Sequence, residues 1–540
     1  MRGRLVVAVL ALGVFGVADA GTQRRTSRNR RAPRQAKRVH IPGMRLLNAG
    51  KPEEAAAVFR TLLAAKPTDE EALYGLAAAG AQSGDIAGAV ANAKKAVAAG
   101  LPVGRFLAGP RAWFGPLLAD RGFQQWVGVR GVALAHGPMV GCVTDRSARF
   151  WVRTATAADV QVVVGSLDGR GQPRTSPVVR TRAATDFTAV AEVEHLAAGT
   201  TYSYGVLVDG KPTRAAARLR FRTFPGHGAK ARFQVGFGGG AGYTPAHERM
   251  WDTIRSHSPL AFLLLGDNVY IDLPKLPNMQ RYCYYRRQSR PEFRRFVGAT
   301  AIYAIWDDHD FGANDCVPGP DMDAPPWKRA VWRVFRNNWN NPAYGGGEVQ
   351  PGCWFDFTIG DVDFFMTDGR YYRSDPRGEH PSMLGPVQRA WLLDRLKASK
   401  ATFKVLVSGT PWAYGTKPGS LDTWEGFRAE REAILAFIQQ NRIGGIILLS
   451  ADRHRSDVWR LARDVGYPLY EFESSRLTNM HRHRAMKNPK CLFSYNAKQS
   501  FGLLTFDTTK PDPEIACRFI SIDDEVVHTV TLTKSQLTPR

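Results

Sequence analysis

The chain has 540 residues, with 44% hydrophobic and 11% aromatic side chains and a formal net charge of +24. That length excludes a single hydrophobic core, and the apolar content excludes a chain disordered throughout. The charge does not single out a nucleic-acid binder, because much of it is local: Arg24, Arg25, Arg28, Arg30, Arg31, Arg34, Lys37 and Arg38 follow one another with no acid between them.

Residues 1–20 have the pattern of an export signal. Arg2 and Arg4 precede the apolar run Leu5 to Val17, and Ala18-Asp19-Ala20 supplies small residues before Gly21. The run is too short to span a bilayer comfortably, and no later stretch reaches the roughly 18 apolar residues of a membrane helix. A soluble, secreted or periplasmic product with no transmembrane segment is expected. Residues 21–40 read as a basic, solvated linker, either a spacer or an electrostatic contact for anionic envelope polymers, lipid headgroups or nucleic acid. The six cysteines, Cys142, Cys283, Cys316, Cys353, Cys491 and Cys517, include no C-x-x-C pair, which argues against a zinc ribbon. Export permits disulfides, and isolated buried thiols are the alternative.

Residues 41–130 predict an α-helical repeat. Ala55, Phe59, Leu62 and Leu63 share one helical face, as do Ala89, Ala93, Ala96 and Val97. Gly50 and Gly84 open equivalent turns 34 residues apart, which is the tetratricopeptide period. The match covers about one and a half units, fewer than the three repeats that usually stand alone. Docking on a neighbouring domain, self-association and recognition of a protein partner are the uses it suggests. Residues 117–126 read as a terminal cap.

Residues 131–225 predict a β-sandwich of immunoglobulin or fibronectin type. Ala148 to Arg153, Val160 to Val164 and Thr201 to Val206 are strand-like and separated by turn formers. No catalytic cluster lies in them, so a scaffold is expected.

From residue 231 to the end the pattern is α/β. Apolar strands at Ala261 to Leu265, Ile302 to Trp306, Phe403 to Ser408 and Ile446 to Ser450 alternate with helices at Pro386 to Lys397 and Phe427 to Gln440. Continuous apolar strands indicate sheets buried on both faces, and open α/β sheets place their sites at strand carboxyl ends. Three polar segments sit at such ends: Gly266-Asp267-Asn268-Val269-Tyr270, Trp306-Asp307-Asp308-His309-Asp310 followed by Asn314, and Ser450-Ala451-Asp452-Arg453-His454. Four ionisable residues behind an apolar strand are costly to bury without a metal or strong hydrogen bonds. In Asp452-x-His454 strand alternation puts a carboxylate and an imidazole on one side. Tyr270 is either a phenolate ligand, which favours a hard trivalent ion, or packing.

With these motifs the region resembles the PhoD-like alkaline phosphatases, or alkaline phosphatase D, of the calcineurin-like metallophosphoesterase superfamily. G-D-x-x-Y appears at Gly266 to Tyr270, W-D-D-H with a following Asn at Trp306 to His309 and Asn314, and S-x-D-x-H at Ser450 to His454. Thr367 to Arg373 is similar to the D-x-R-x-Y-R stretch, and His136 to Gly141 with Ala148 to Arg153 is similar to the family's amino-terminal β domain. The resemblance implies an α/β-sandwich catalytic domain and two or more metal ions. Asp267 and Tyr270 would bind iron(III); Asn314, Asp452 and His454 would hold calcium. It implies hydrolysis of phosphate mono- or diesters by metal-activated hydroxide or oxo attack on phosphorus. Arg370, then Arg281, would neutralise the equatorial oxygens, the alternative for each being a surface arginine. His309 would protonate the leaving oxygen or support the site through Asp308. The family's usual Cys ligand after the first strand is replaced by Gly240, and Ala451 stands where the family has Gly. Two other readings stay open: a phosphodiesterase or phospholipase D-like enzyme acting on envelope polymers or lipids, and a catalytically degenerate scaffold acting through the helical repeat.

Overall fold

The computed structural model describes residues 38–167, 172–213, 219–463 and 466–539. The expected export signal and nearly all of the basic linker lie outside the described residues. Among those described, no helix is long and apolar enough to cross a membrane. All six cysteines are free thiols, Cys142, Cys283, Cys353 and Cys517 of them buried.

The described chain begins with helices at Ile41–Asn48, Pro52–Ala65, Glu70–Ser83 and Ile86–Ala98, followed by Gly104–Ala108, Arg111–Ala119 and Arg121–Gly128. The first four pack in sequence order. Ala55, Phe59, Ala89, Ala93 and Ala96 are fully buried between them, whereas Leu62, Leu63 and Val97 are only half-buried. Gly50 and Gly84 both adopt left-handed backbone, at φ 69° and 89°, which explains glycine at both turns. Asp69 caps the third helix by accepting from the Glu71 and Ala72 amides. The helices dock on the α/β domain through a half-buried ion pair, a buried phenol and a buried guanidinium. Arg290 Nη1 meets Glu70 Oε1 at 2.6 Å, Tyr282 donates to Glu71 Oε2 at 2.9 Å, and the Arg105 guanidinium lies over the Tyr74 and Tyr282 rings.

Two antiparallel sheets follow. One joins Leu134–Gly141, Ala148–Thr154 and Thr188–Val193; the other is built on Asp159–Ser166 and Thr201–Val208. Their alternating apolar residues face each other across Phe150, Tyr204 and Phe221. Trp151 Nε1 donates to the Asn337 carbonyl and the Tyr204 hydroxyl to the Gly298 carbonyl, which fastens this unit to the α/β domain.

The third part, from residue 232 onward, is a sandwich of two mixed sheets. In the first, Arg232–Gly238, Ala261–Leu265 and Ala301–Ile305 run parallel, and Ser500–Asp507, Glu514–Ser521 and Val526–Thr533 extend it antiparallel. In the second, Val362–Met366, Phe403–Val407, Ile446–Ser450 and Leu469–Ser474 run parallel. Phe364 and Phe403 of the second sheet pack on Phe506 of the first. Helices Gly385–Ala398 and Arg428–Gln440 match the predicted helices to within a residue or two. A parallel bridge between Gly239 and Ser475 joins the two sheets at their carboxyl ends. Loops from both sheets therefore share one edge.

Candidate metal centre

Residues 266–272, 306–315 and 451–455 leave three parallel strands at this edge. Asp310 locks the first loop to the second: its two oxygens accept the Asn268 and Val269 amides, each at 2.9 Å. Burial, and Asp267 nearby, push the Asp310 carboxyl up to about 7. Trp306 is buried and donates its indole N–H to Asp368 Oδ1 at 2.7 Å. Glu473 on the next strand accepts the Arg453 amide at 3.1 Å and holds the third loop.

The ligand atoms of Asp267, Asp308 and His309 lie within 4.8 Å of one another. His454 Nε2 is 3.8 Å from Asp267 Oδ2 and 2.8 Å from the Tyr270 hydroxyl. Asn479 Nδ2 donates to that hydroxyl at 2.6 Å, and the Tyr270 ring lies over His309 with centroids 4.6 Å apart. Asp267, Tyr270, Asp452 and His454 all have left-handed backbone, at φ 57°, 55°, 71° and 47°. Such residues cost about 1–3 kcal/mol each and persist where the surroundings over-determine them, as at functional sites.

The charges are poorly compensated. Burial, then Asp267 and Asp422, push Asp308 up to about 6 against Arg370 and His309. Asp307 is raised well above the carboxylate range by burial and by Asp308 and Asp267, against Arg370. Burial opposes a charge on His309, but Asp267, Asp308 and its Nδ1 partner Asp272 together lift it to about 10. Burial and Asp267 raise the Tyr270 phenol well above its ordinary value. Asp267 Oδ1 and Asp307 Oδ2 are buried without a hydrogen-bond partner among the described residues. Lone buried carboxylate oxygens are what a cation satisfies. A second acidic group, Asp308, Asp315 and Asp422, is different. Lys417 Nζ reaches Asp315 at 2.8 Å and Asp422 at 3.3 Å, and Arg370 and Arg373 also hold Asp422. Burial would raise Asp422, yet these cations keep it well below the usual carboxylate range. Asp422 is thus neutralised by cations of the protein itself.

Of the residues singled out in the sequence, Asp267, Tyr270, His309 and His454 converge directly. Asp452 sits two residues before His454, 9% exposed, with Oδ2 3.3 Å from Arg453 Nη1 and 4.0 Å from Lys417 Nζ. Burial works against its charge, but Lys417 and Arg453 lower its pKa. Asn314 is exposed at the rim, beside Asp315, whose amide donates to Asp308 Oδ2 at 2.7 Å. Arg370 is not a surface arginine. It is fully buried, donating from Nε to Asp307 at 2.5 Å and from Nη1 and Nη2 to Asp422 at 2.7 and 3.1 Å. These contacts tie the Asp307-Asp308 segment to Asp422. Arg281 lies on helix Pro277–Ser289 and reaches Asn278 of the same helix at 3.4 Å. No contact among the described residues links it to the cluster. Asn479, Asp272 and Lys417 were not anticipated; each sits in a loop without a local motif. His481-x-His483 was a readable signal.

Gly240 explains its own identity. It has φ 68°, and a Cβ there would stand 2.6 Å from the Arg476 amide nitrogen and 3.6 Å from His454 Cδ2. Backbone fills the space where a side-chain ligand would start.

A family model described as PhoD-like phosphatase matches residues 235–490. Residues 235–490 are thus similar to the PhoD-like phosphatases. A model described only as a domain of unknown function, DUF7800, matches residues 131–225. Alkaline phosphatase D of Bacillus subtilis (strain 168) is 30% identical over 231 residues, which covers 38% of this chain and 37% of that protein. The chain thus aligns with well under half of this curated relative. A solved structure of PhoD superposes with a TM-score of 0.63 at 16% identity, covering 74% of this chain and 90% of that one. Purple acid phosphatase PPD1 from yellow lupin seeds superposes at 0.56 and 11% identity, covering 74% and 75%. At those identities the likeness establishes the fold alone.

Proposed function

We propose that the chain is an exported, metal-dependent phosphoesterase that hydrolyses phosphate mono- or diesters. The observation that carries this is the meeting of Asp267, Asp308, His309 and His454 at the shared edge of two sheets, within a PhoD-like domain, with lone buried oxygens on Asp267 and Asp307. The relatives named alkaline phosphatase D and purple acid phosphatase support the same reaction class.

The donor set fits metal ions: carboxylates, an imidazole and a phenol around uncompensated charge. Asp267, Tyr270, Asp308, Asp452 and His454 would hold them, with Asn314 at the rim. Iron(III) at Tyr270 and calcium at the carboxylates are the ions the resemblance suggests. Bound there, such ions supply Lewis acidity toward the phosphoryl oxygens and lower the pKa of a water nucleophile. The chain contributes position and protons. Asp310 and Arg370 fix the two acidic loops. Asp272 holds His309 Nδ1, so the proton His309 can pass to a leaving alcohol is the one on Nε2. Asn479 and His454 hold the Tyr270 hydroxyl from two sides.

Residues 41–130 are proposed as a tetratricopeptide-like helical unit and residues 131–225 as a scaffold of immunoglobulin or fibronectin type. Export rests on residues 1–20, and amino-terminal sequencing of the mature protein should begin at Gly21. The functional test is turnover of an aryl phosphate monoester and an aryl phosphodiester before and after chelation, with metals analysed in parallel. Chelator-sensitive release of the phenol is expected. No turnover of either ester by metal-loaded protein would overturn the proposal, and the faster substrate decides between the mono- and diesterase readings.

A further inference from the structure

Beside the centre lies a second set of potential ligands that the function above does not use. His481 and His483 belong to the loop after strand Leu469–Ser474, and their Nε2 atoms are 3.0 Å apart. Candidate ligand nitrogens of His454, His481 and His483 all fall within 4.8 Å of one another. The His454 ring lies 5.0 Å from that of His481 and 5.2 Å, nearly parallel, from that of His483.

The loop is built to present these rings. His483 Nδ1 is 3.0 Å from the Arg453 carbonyl, and since a carbonyl only accepts, that nitrogen carries the hydrogen. The Nε2 lone pair of His483 therefore points its ligand capacity toward His481. An imidazole whose second nitrogen donates to a backbone carbonyl is the usual supporting arrangement of a metal-bound histidine. Asn496 Nδ2 donates to the His483 carbonyl at 2.6 Å, and the His481 amide donates to Asn479 Oδ1 at 3.1 Å. The Asn479 side chain reaches Tyr270 with its other end, so one amide couples the histidine loop to the acidic centre. Two nitrogens on a tetrahedral zinc, each at about 2.0–2.1 Å, sit roughly 3.3 Å apart, close to the separation found here.

We propose that His481 and His483, together with His454, form a site for a borderline divalent ion, zinc being the chemical type. Neutral imidazoles select late first-row divalent ions over calcium, which takes oxygen ligands. The site also answers the glycine at position 240. Where backbone of Arg476 excludes a thiolate, the same loop a few residues on brings two imidazoles beside His454: nitrogen ligands in place of sulfur. This inference shares His454 with the function proposed above but concerns two residues that function does not require.

The test uses the full mature chain, stripped with chelator and titrated with zinc chloride in a calorimeter. Wild type is expected to bind one more zinc per chain at high affinity than His481→Gln/His483→Gln, and each single variant to weaken that equivalent at least tenfold. Equal stoichiometry and affinity in wild type and the double variant would overturn the site. A second measurement needs no variant: carbethoxylation of His481 in wild type, read by mass spectrometry, should slow several-fold with zinc, and an unchanged rate counts against the site. Asp267→Asn separates the two proposals, since it should lose ester turnover while keeping the histidine-bound zinc. Wild-type turnover with no histidine-dependent zinc sinks only this inference; histidine-dependent zinc without turnover sinks only the phosphoesterase.

Discussion

Arg370→Met distinguishes a residue that holds the site from one that binds substrate. The guanidinium is fully buried and makes three short contacts, one to Asp307 and two to Asp422. Removing one partner of a buried ion pair costs about 3–5 kcal/mol, because the remaining charge is left uncompensated. Asp422 keeps Arg373 at 2.5 Å and Lys417 at 3.3 Å. Asp307 keeps no other ion pair among the described residues, and its Oδ2 already lacks a partner. The loss therefore falls on Asp307, which can take up a proton, and the lower end of the range, about 3 kcal/mol, is expected. Urea unfolding followed by tryptophan fluorescence measures it, with ester kinetics on the same preparations. Displacement of the adjacent Asp308 should lower kcat with little change in KM. Arg370→Met/Asp307→Asn should recover part of the lost stability, since both charges leave together. An unchanged unfolding midpoint with KM raised tenfold or more would refute this reasoning and return Arg370 to the phosphate-binding role its motif suggested.

Gly240→Cys, which restores the family's usual residue, should destabilise rather than recruit iron. A left-handed non-glycine costs about 1–2 kcal/mol and the contact with Arg476 roughly 1–3 more; unaltered stability with a new thiolate-to-iron absorption band would contradict it. Asp452→Asn should reduce turnover at least a hundredfold while leaving the circular dichroism spectrum intact, and undiminished kcat would show the site is misplaced. His136 gives a pH dependence away from the centre. Burial first, then Arg153 and Arg294, drive its pKa well below 6.5, and its Nδ1 lies 2.9 Å from Arg153 Nη1. The unfolded chain takes a proton below pH 6.5 and the folded chain does not. Stability is thus undiminished above pH 6.5 and lost below it, by up to about 1.4 kcal/mol per pH unit. His136→Gln should flatten that slope in urea titrations between pH 7 and 5; a slope matching wild type would mean the imidazole is charged in the fold.

Much of this molecule could be read along the chain because the signals are local. Apolar runs of five residues are strands wherever a sheet is covered on both faces, and Ala261–Leu265 and Ile446–Ser450 are observed as expected. Gly50 and Gly84 mark turns because left-handed backbone is a property of one residue. Asp267, Tyr270, His309 and His454 stood out because polar residues behind a buried strand are costly in any fold without partners. Asn479 and Lys417 gave no such warning, since a single polar residue in a loop looks the same whether it faces water or a buried phenol.

The order of residues was enough to place acidic loops at strand ends and to suggest a cation, since the apolar run of a buried strand and the cost of burying charge both act within a few residues; the alternation expected of Asp452 and His454 did not hold, both having left-handed backbone beyond the strand. It could not assign which charges cancel. Arg370 and Asp307 are 63 positions apart, and Lys417 and Asp315 are 102 apart. Only the packing of the two sheets against each other decided that Asp422 is satisfied by protein cations while Asp267 and Asp307 keep a lone buried oxygen each, because electrostatic pairing depends on distance in space and on the water excluded between the partners.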